Sequence, residues 1–383
     1  MIYLNKKQII DKNIFILNIL YIANISLPML IFAFFFVNKK YEESINYMLV
    51  VSLNTLLAFS LSGNYRQTLV SDNNKNLCNI VIRKRIFLAP IIAILSFFIS
   101  FFFLEIKNLY LIFLSSFVVI TIWITEINLI LIEIKKNTKN LIYKVLSNYF
   151  VLLLILICFF YLNNKYTLFL IIIYFFLFLV QNFNFNFYKK KKLLKPFNFI
   201  LKMNYISSIA INFSSFIFRY EINYFLDVKS ASFIFFCITV GSSLATITFN
   251  SFGPRDFSHT TKLSKRFVFL AFLYLLGCLS VYFLIYKGWI FNDQTNLLKH
   301  CLFFSIVGGL IFSISYIFRQ NIITNKNYQN AGFLLDIIFS ILVVILVPLV
   351  HRAGEDLLIY IYFLTSSISL IIYYFYYNYV VRK

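Results

Sequence analysis

The chain has 383 residues, of which 61% are hydrophobic and 13% charged, and it carries a net charge of +21. A soluble domain holds roughly 25% charged residues, so this chain has too little polar surface to cover itself in water, and a bilayer removes that requirement. The positive charge is spread between apolar runs, which argues against a nucleic-acid partner. The five cysteines (Cys78, Cys158, Cys237, Cys278 and Cys301) form no CxxC, and the three histidines do not cluster, so neither a metal site, a cofactor site nor a disulfide framework is expected.

A spanning helix needs about 20 apolar residues. Twelve segments meet or nearly meet this length, and their continuous apolar runs exclude a transmembrane barrel. The first, 14–37, follows Lys6, Lys7 and Lys12. It is too long for a signal-peptide core and is followed by no A-x-A site, so it is expected to stay as an anchor, bent at Pro28 and carrying Asn18 and Asn24. Segment two, 47–66, sets Ser52, Thr55, Phe59, Ser62 and Arg66 along one face. Segments three (86–104), five (141–162) and six (166–187) are featureless. Segment four, 109–132, contains Glu126, with Glu133 at its inner boundary. After the basic run Lys189, Lys190, Lys191, Lys192 and Lys195, segment seven (205–226) carries Ser208, Asn212, Ser215, Arg219 and Asn223 at helical spacing, with Glu221 on another face. Segment eight, 231–252, carries Ser232, Thr239, Ser243, Thr246 and Asn250 on one face. Segments nine (267–286) and twelve (357–379), which like three, five and six are mainly featureless, complete the set with ten (297–318) and eleven (330–350). Asp336 in segment eleven and Arg319 near the inner end of segment ten are expected to form a structural ion pair.

With the N-terminus inside, 26 of the 35 Lys and Arg fall on the cytoplasmic side, 8 fall on the other side, and Arg219 lies within a segment. This asymmetry predicts that both termini are cytoplasmic. The fold class expected is all-α integral membrane, with about twelve transmembrane helices in two six-helix lobes. The lobes are 1–188 and 205–383, joined by a basic cytoplasmic linker, 189–204, that faces anionic lipid headgroups. The halves are offset by about 190 residues, judged from their first helices and from Gly63 and Gly253, and both start inside, which makes them parallel repeats. The polar helices are one, two, seven and eight, the first pair of each half. A water-accessible cleft lined by these four explains that pairing. The competing explanation is that Ser and Thr only join helices to one another.

Three stretches carry a resemblance: FSLSGNYRQTLV (59–70), RYEINYFLDVKSASFIFFCITVGSSLATITFNSFGP (219–254) and FRQNIITNKN (318–327). With the two six-helix lobes and the basic linker, the chain resembles the Wzx-type O-antigen and polysaccharide flippases of the MATE-like multidrug/oligosaccharidyl-lipid/polysaccharide (MOP) superfamily. The resemblance covers nearly the whole chain, although its loops are minimal and no stretch is a sharp motif. It implies a multi-pass protein of the bacterial inner membrane that moves undecaprenyl-diphosphate-linked oligosaccharides outward by alternating access. A polysaccharide polymerase and a chain-length regulator are the implied partners, beside membrane lipids. Arg66 and Arg219 match the cationic substrate cavity of such proteins, and Asn212, Asn223, Thr246 and Asn250 complete the candidate substrate-binding set. Glu126 and Glu221 are the candidates for ion coupling. No GxxxxGK[ST] loop occurs, so direct use of ATP is not expected. Two alternatives stay open: a membrane polymerase, ligase or glycosyltransferase of the same pathway, which short outer loops disfavour, and a drug exporter of the same superfamily.

Overall fold

The computed structural model describes residues 26–62, 75–134, 164–182, 199–251, 265–288, 296–325 and 327–381, with scattered residues at 20–24 and 142–157. Helices α1 (Ser26–Val37), α2 (Tyr41–Ser62), α3 (Lys75–Phe98), α4 (Leu109–Ile134), α5 (Asn164–Asn182) and α6 (Phe199–Phe225) come first. They are followed by α7 (Val228–Ser251), α8 (Lys265–Tyr286), α9 (Asn296–Thr324), α10 (Gln329–Ala353), a 3₁₀ turn (Glu355–Tyr360) and α11 (Ile361–Tyr376). No strand occurs among the described residues. Five of the described spans are long and apolar enough to cross a bilayer: Ile80–Phe103, Leu109–Ile132, Leu298–Ile323, Gln329–Ala353 and Glu355–Val380. The chain is a multi-pass helical membrane protein. Helices overlie every expected segment except the fifth, most of which lies outside the described residues.

Helix ends run past the apolar runs that announced them. Helix α3 begins at Lys75 instead of residue 86, and α6 begins at Phe199, so the last residues of the expected linker are helical. Hydropathy marks only the stretch that lipid surrounds, whereas i→i−4 bonding continues into polar turns as long as no residue interrupts it.

The chain forms two compact units, one comprising Met1–Pro28 and Leu53–Tyr205, the other Met29–Ser52 and Ile206–Lys383. In the first unit α4 is the central helix: its span is 78% buried, against 28% for that of α3. Trp123, Ile124, Ile127 and Ile130 are shut off from solvent, while Phe87, Phe98 and Phe103 of the α3 span point outward. That one-sided exposure is what a helix between a protein core and lipid requires. Ser116 donates to Ser96 at 3.5 Å, where small side chains let α3 and α4 approach.

In the second unit α7 and α9 cross at glycines. A Cβ on Gly241 would meet the Ser305 carbonyl oxygen at 2.1 Å, and one on Gly309 would meet the Gly241 carbonyl oxygen at 1.9 Å. Backbone therefore lies directly on backbone, the usual way to gain dispersion contact where lipid supplies no hydrophobic drive. Met29–Ser52, which holds most of α1 and the first half of α2, belongs to this unit. Its turn is closed by Lys40 N–H to the Phe35 carbonyl and Lys39 N–H to the Phe36 carbonyl, both 3.0 Å, with Lys39 left-handed at φ 60°. This is a Schellman-type helix end. Phe36 stacks on Phe236 of α7 at 4.4 Å, Tyr41 meets Phe233 edge-on at 5.6 Å, and the Ser44 and Ser232 hydroxyls share a hydrogen bond of 2.7 Å.

Candidate substrate-binding helix and the buried charges

Helix α6 presents three faces. Ser207, Ser214, Phe218 and Ile222 are buried, while Ile209, Phe213, Tyr220 and Tyr224 are exposed. Between them runs the expected polar stripe. Asn212 Nδ2 donates to the Ser208 carbonyl at 2.7 Å, and Arg219 Nη1 donates to Ser215 Oγ at 3.3 Å. Both contacts are four residues apart on their own helix, the spacing that places side chains one above the other. Arg219 is half-buried and makes no ion pair among the described residues. A guanidinium has five donors and does not lose its proton, so one Ser hydroxyl leaves most of its hydrogen-bonding capacity unused. Asn223 continues the stripe, half-buried, one turn further on.

The structure thus brings Asn212, Arg219 and Asn223 onto one face of one helix. Thr246 and Asn250 lie in the C-terminal half of α7. Arg66 falls outside the described residues.

The two candidate carboxylates have different surroundings. Glu126 Oε2 accepts from Arg85 Nη1 at 2.8 Å. Arg85 also donates to the Trp123 carbonyl, and its guanidinium lies 5.0 Å from the Trp123 ring and 5.9 Å from that of Phe59. Sequence reasoning counted Arg85 among the cytoplasmic loop charges. It is instead fully buried inside the first unit, because α3 starts eleven residues before the apolar run. A basic residue one position ahead of an apolar segment that faces a Glu-bearing segment was the available signal. Glu221 has no such partner. It lies on the buried face of α6, one turn from Phe225, and its Oε2 is buried with no hydrogen-bond partner. Phe225 in turn stacks on the His351 ring of α10 at 4.3 Å.

The expected pair of Arg319 and Asp336 is present and is part of a larger network. Asp336 accepts from Arg319 Nε and Nη2, both at 2.7 Å, and from Ser207 Oγ and Tyr373 OH, both at 2.6 Å. This joins α6, α9, α10 and α11. Tyr373 also corrects the expectation that segment twelve is featureless. Its buried face carries Thr365, Ser366, Ser369 and Tyr373, with Ser369 hydrogen-bonded to Ser315 at 2.6 Å. Aromatic and Ile residues between these positions hid the polar spacing.

No family model and no curated protein matches this chain. Two solved structures are similar to it over most of its length. One is an outward-facing multidrug resistance MATE family transporter of the MOP superfamily, with TM-score 0.51 and 14% identity over 96% of this chain and 95% of that one. The other is a MATE protein in complex with Br-NRF, with TM-score 0.49 and 13% identity over 96% and 95%. At these identities the likeness concerns the fold: the chain has a MATE-like arrangement of helices.

Proposed function

We propose that this protein is a flippase carrying undecaprenyl-diphosphate-linked oligosaccharide repeat units across the bacterial inner membrane by alternating access. The observation that carries this reading is Arg219, a half-buried guanidinium on the polar stripe of helix α6, with Ser215 as its hydrogen-bond acceptor and, among the described residues, no carboxylate against it. Such a cation in a membrane calls for an anionic partner, and a diphosphate supplies oxygens that take a guanidinium fork by paired, charge-assisted bonds. The Asn212 and Asn223 amides beside it suit sugar hydroxyls, and Arg66, Thr246 and Asn250 are proposed to extend the same surface. Glu221, half-buried with its Oε2 buried and without a hydrogen-bond partner, is the stronger proposed ion-coupling group. Glu126 is the weaker one, because Arg85 already balances it. A polysaccharide polymerase and a chain-length regulator are the proposed downstream partners.

Export of cationic drugs is the second reading. It is favoured by the fold shared with a multidrug transporter and by the anionic Glu221. Proteoliposomes separate the two. A fluorescent lipid-diphosphate saccharide is expected to become accessible to an impermeant quencher only in vesicles that hold the protein, and Arg219→Ala removes that access. Transport of an organic cation with no movement of the saccharide lipid would establish the drug reading instead.

A further inference from the structure

An apolar groove lies at the end of the second unit where Gly354 separates α10 from the 3₁₀ turn. It has a volume of about 390 Å³ and is lined by residues that include Phe304, Leu349, Ala353, Leu357, Tyr360 and Phe363. Its aromatic side is firmly packed, with Phe304 edge-on to Tyr360 at 4.6 Å and to Phe363 at 5.8 Å. Local sequence accounts for the opening. Pro348 lies inside α10 and cannot donate to the carbonyl one turn back, and the helix ends five residues later at Ala353. After Gly354 the 3₁₀ turn carries Leu357 outward instead of extending the helix.

Water would find too few polar partners in this groove to be held there. Hydrocarbon is the alternative medium, and the groove opens onto it. Leu334, Ile338, Ile341, Leu342, Ile345 and Leu349 form an exposed apolar stripe along α10 that runs into the groove. The volume falls in the range of ordinary ligand sites, about 300–1,000 Å³. The rim is charged. Arg352 precedes Ala353, Glu355 and Asp356 follow Gly354, all three are exposed, and none makes an ion pair among the described residues. One cation and two carboxylates therefore sit at the level where a span ends, which is headgroup level.

We propose that this groove seats one hydrocarbon chain of an ethanolamine phospholipid, with its phosphate on Arg352 and its ammonium on Glu355 and Asp356. Anionic lipids satisfy Arg352 but meet repulsion from the two carboxylates. A choline headgroup offers those carboxylates no N–H donors. The apolar walls supply affinity and the rim selects the headgroup. By the charge asymmetry of the loops, this rim faces away from the cytoplasm.

Native mass spectrometry of the full chain, released from bilayers of equal ethanolamine, choline and glycerol phospholipids, tests the proposal. The expected result is one retained ethanolamine lipid per chain, preferred about tenfold over either competitor, equivalent to about 1.4 kcal/mol. Ala353→Trp, which fills the groove, loses the retained lipid. Because a bulky residue there can also impair insertion, the double variant Glu355→Gln/Asp356→Asn, confined to exposed side chains, carries the test independently. It is expected to keep a lipid but to lose the preference for ethanolamine over choline. Retention without headgroup preference in the native chain, an undiminished preference in the double variant, or unchanged retention in a folded Ala353→Trp chain overturns the proposal.

Discussion

Asp336 accepts four hydrogen bonds, two of them from one guanidinium, while fully removed from solvent. A carboxylate so held is a structural group, since no lone pair is left to recruit a mobile ion. Removing its charge strands Arg319. Asp336→Asn is therefore expected to cost about 3–5 kcal/mol, read as a large fall in the melting temperature of the purified protein, whereas replacing both residues by apolar ones of similar volume recovers most of the loss. A fall no larger in Asp336→Asn than in the double replacement would show that the pair is dispensable. Asp227 is the contrasting exposed case. It caps α7, accepting from the amides of Lys229 at 3.0 Å and Ser230 at 3.1 Å. The Ser230 side chain, with these amides, holds the Asp227 carboxyl below its usual range. A depressed value means that the stabilisation is present above the unfolded value of about 4 and fades as pH falls through the lower folded value. Asp227→Ala is expected to cost about 1 kcal/mol at neutral pH. The cost should shrink in strong acid, and a pH-independent cost measured by thermal melts between neutrality and strong acid would rule out the cap's charge as its source.

At the scale of elements, the crossing of α7 and α9 is the most constrained feature, because Gly241 and Gly309 leave no room for a methyl group. Gly309→Ala forces the backbones apart and is expected to lower the amount of folded protein in the membrane severalfold, as overpacking at such contacts costs about 1–3 kcal/mol or more. Fluorescence-detected size exclusion reads this directly, and native abundance would mean that the two helices can separate without loss. Of the helices, α6 was the most legible in the sequence. Ser208, Asn212, Ser215, Arg219 and Asn223 repeat at helical spacing against an apolar background, so the stripe stands out by composition alone. Arg85 and the polar face of α11 were not legible, for separate reasons. Hydropathy truncated α3 just short of Arg85, and Ser and Thr dispersed among Phe, Ile and Tyr give little contrast although Thr365, Ser366 and Ser369 turn inward. Partners distant in sequence, such as Ser207 for Asp336 or Ser44 for Ser232, leave no local trace at all.

For the molecule as a whole, the all-helical membrane class followed from composition and apolar run length, and the MATE-like fold agrees with it. The sequence reading divides the chain between residues 188 and 205, and the structure groups Met29–Ser52 with Ile206–Lys383 in its second compact unit. Aromatic contacts of Phe36 and Tyr41 with α7 accompany that grouping, and they leave no trace in an apolar run. The loop charges predict both termini inside, and reporter fusions at Lys383 and near Ser258 are expected to read cytoplasmic, with a periplasmic signal at either site contradicting the orientation. The central claim is that Arg219 receives an anionic headgroup, and its most direct test is surface-glycan export in cells that carry Arg219 variants at matched membrane abundance. Arg219→Lys keeps the charge but loses the fork, so partial export is expected, and Arg219→Ala is expected to abolish export. Full export by a stably inserted Arg219→Ala protein would contradict the account.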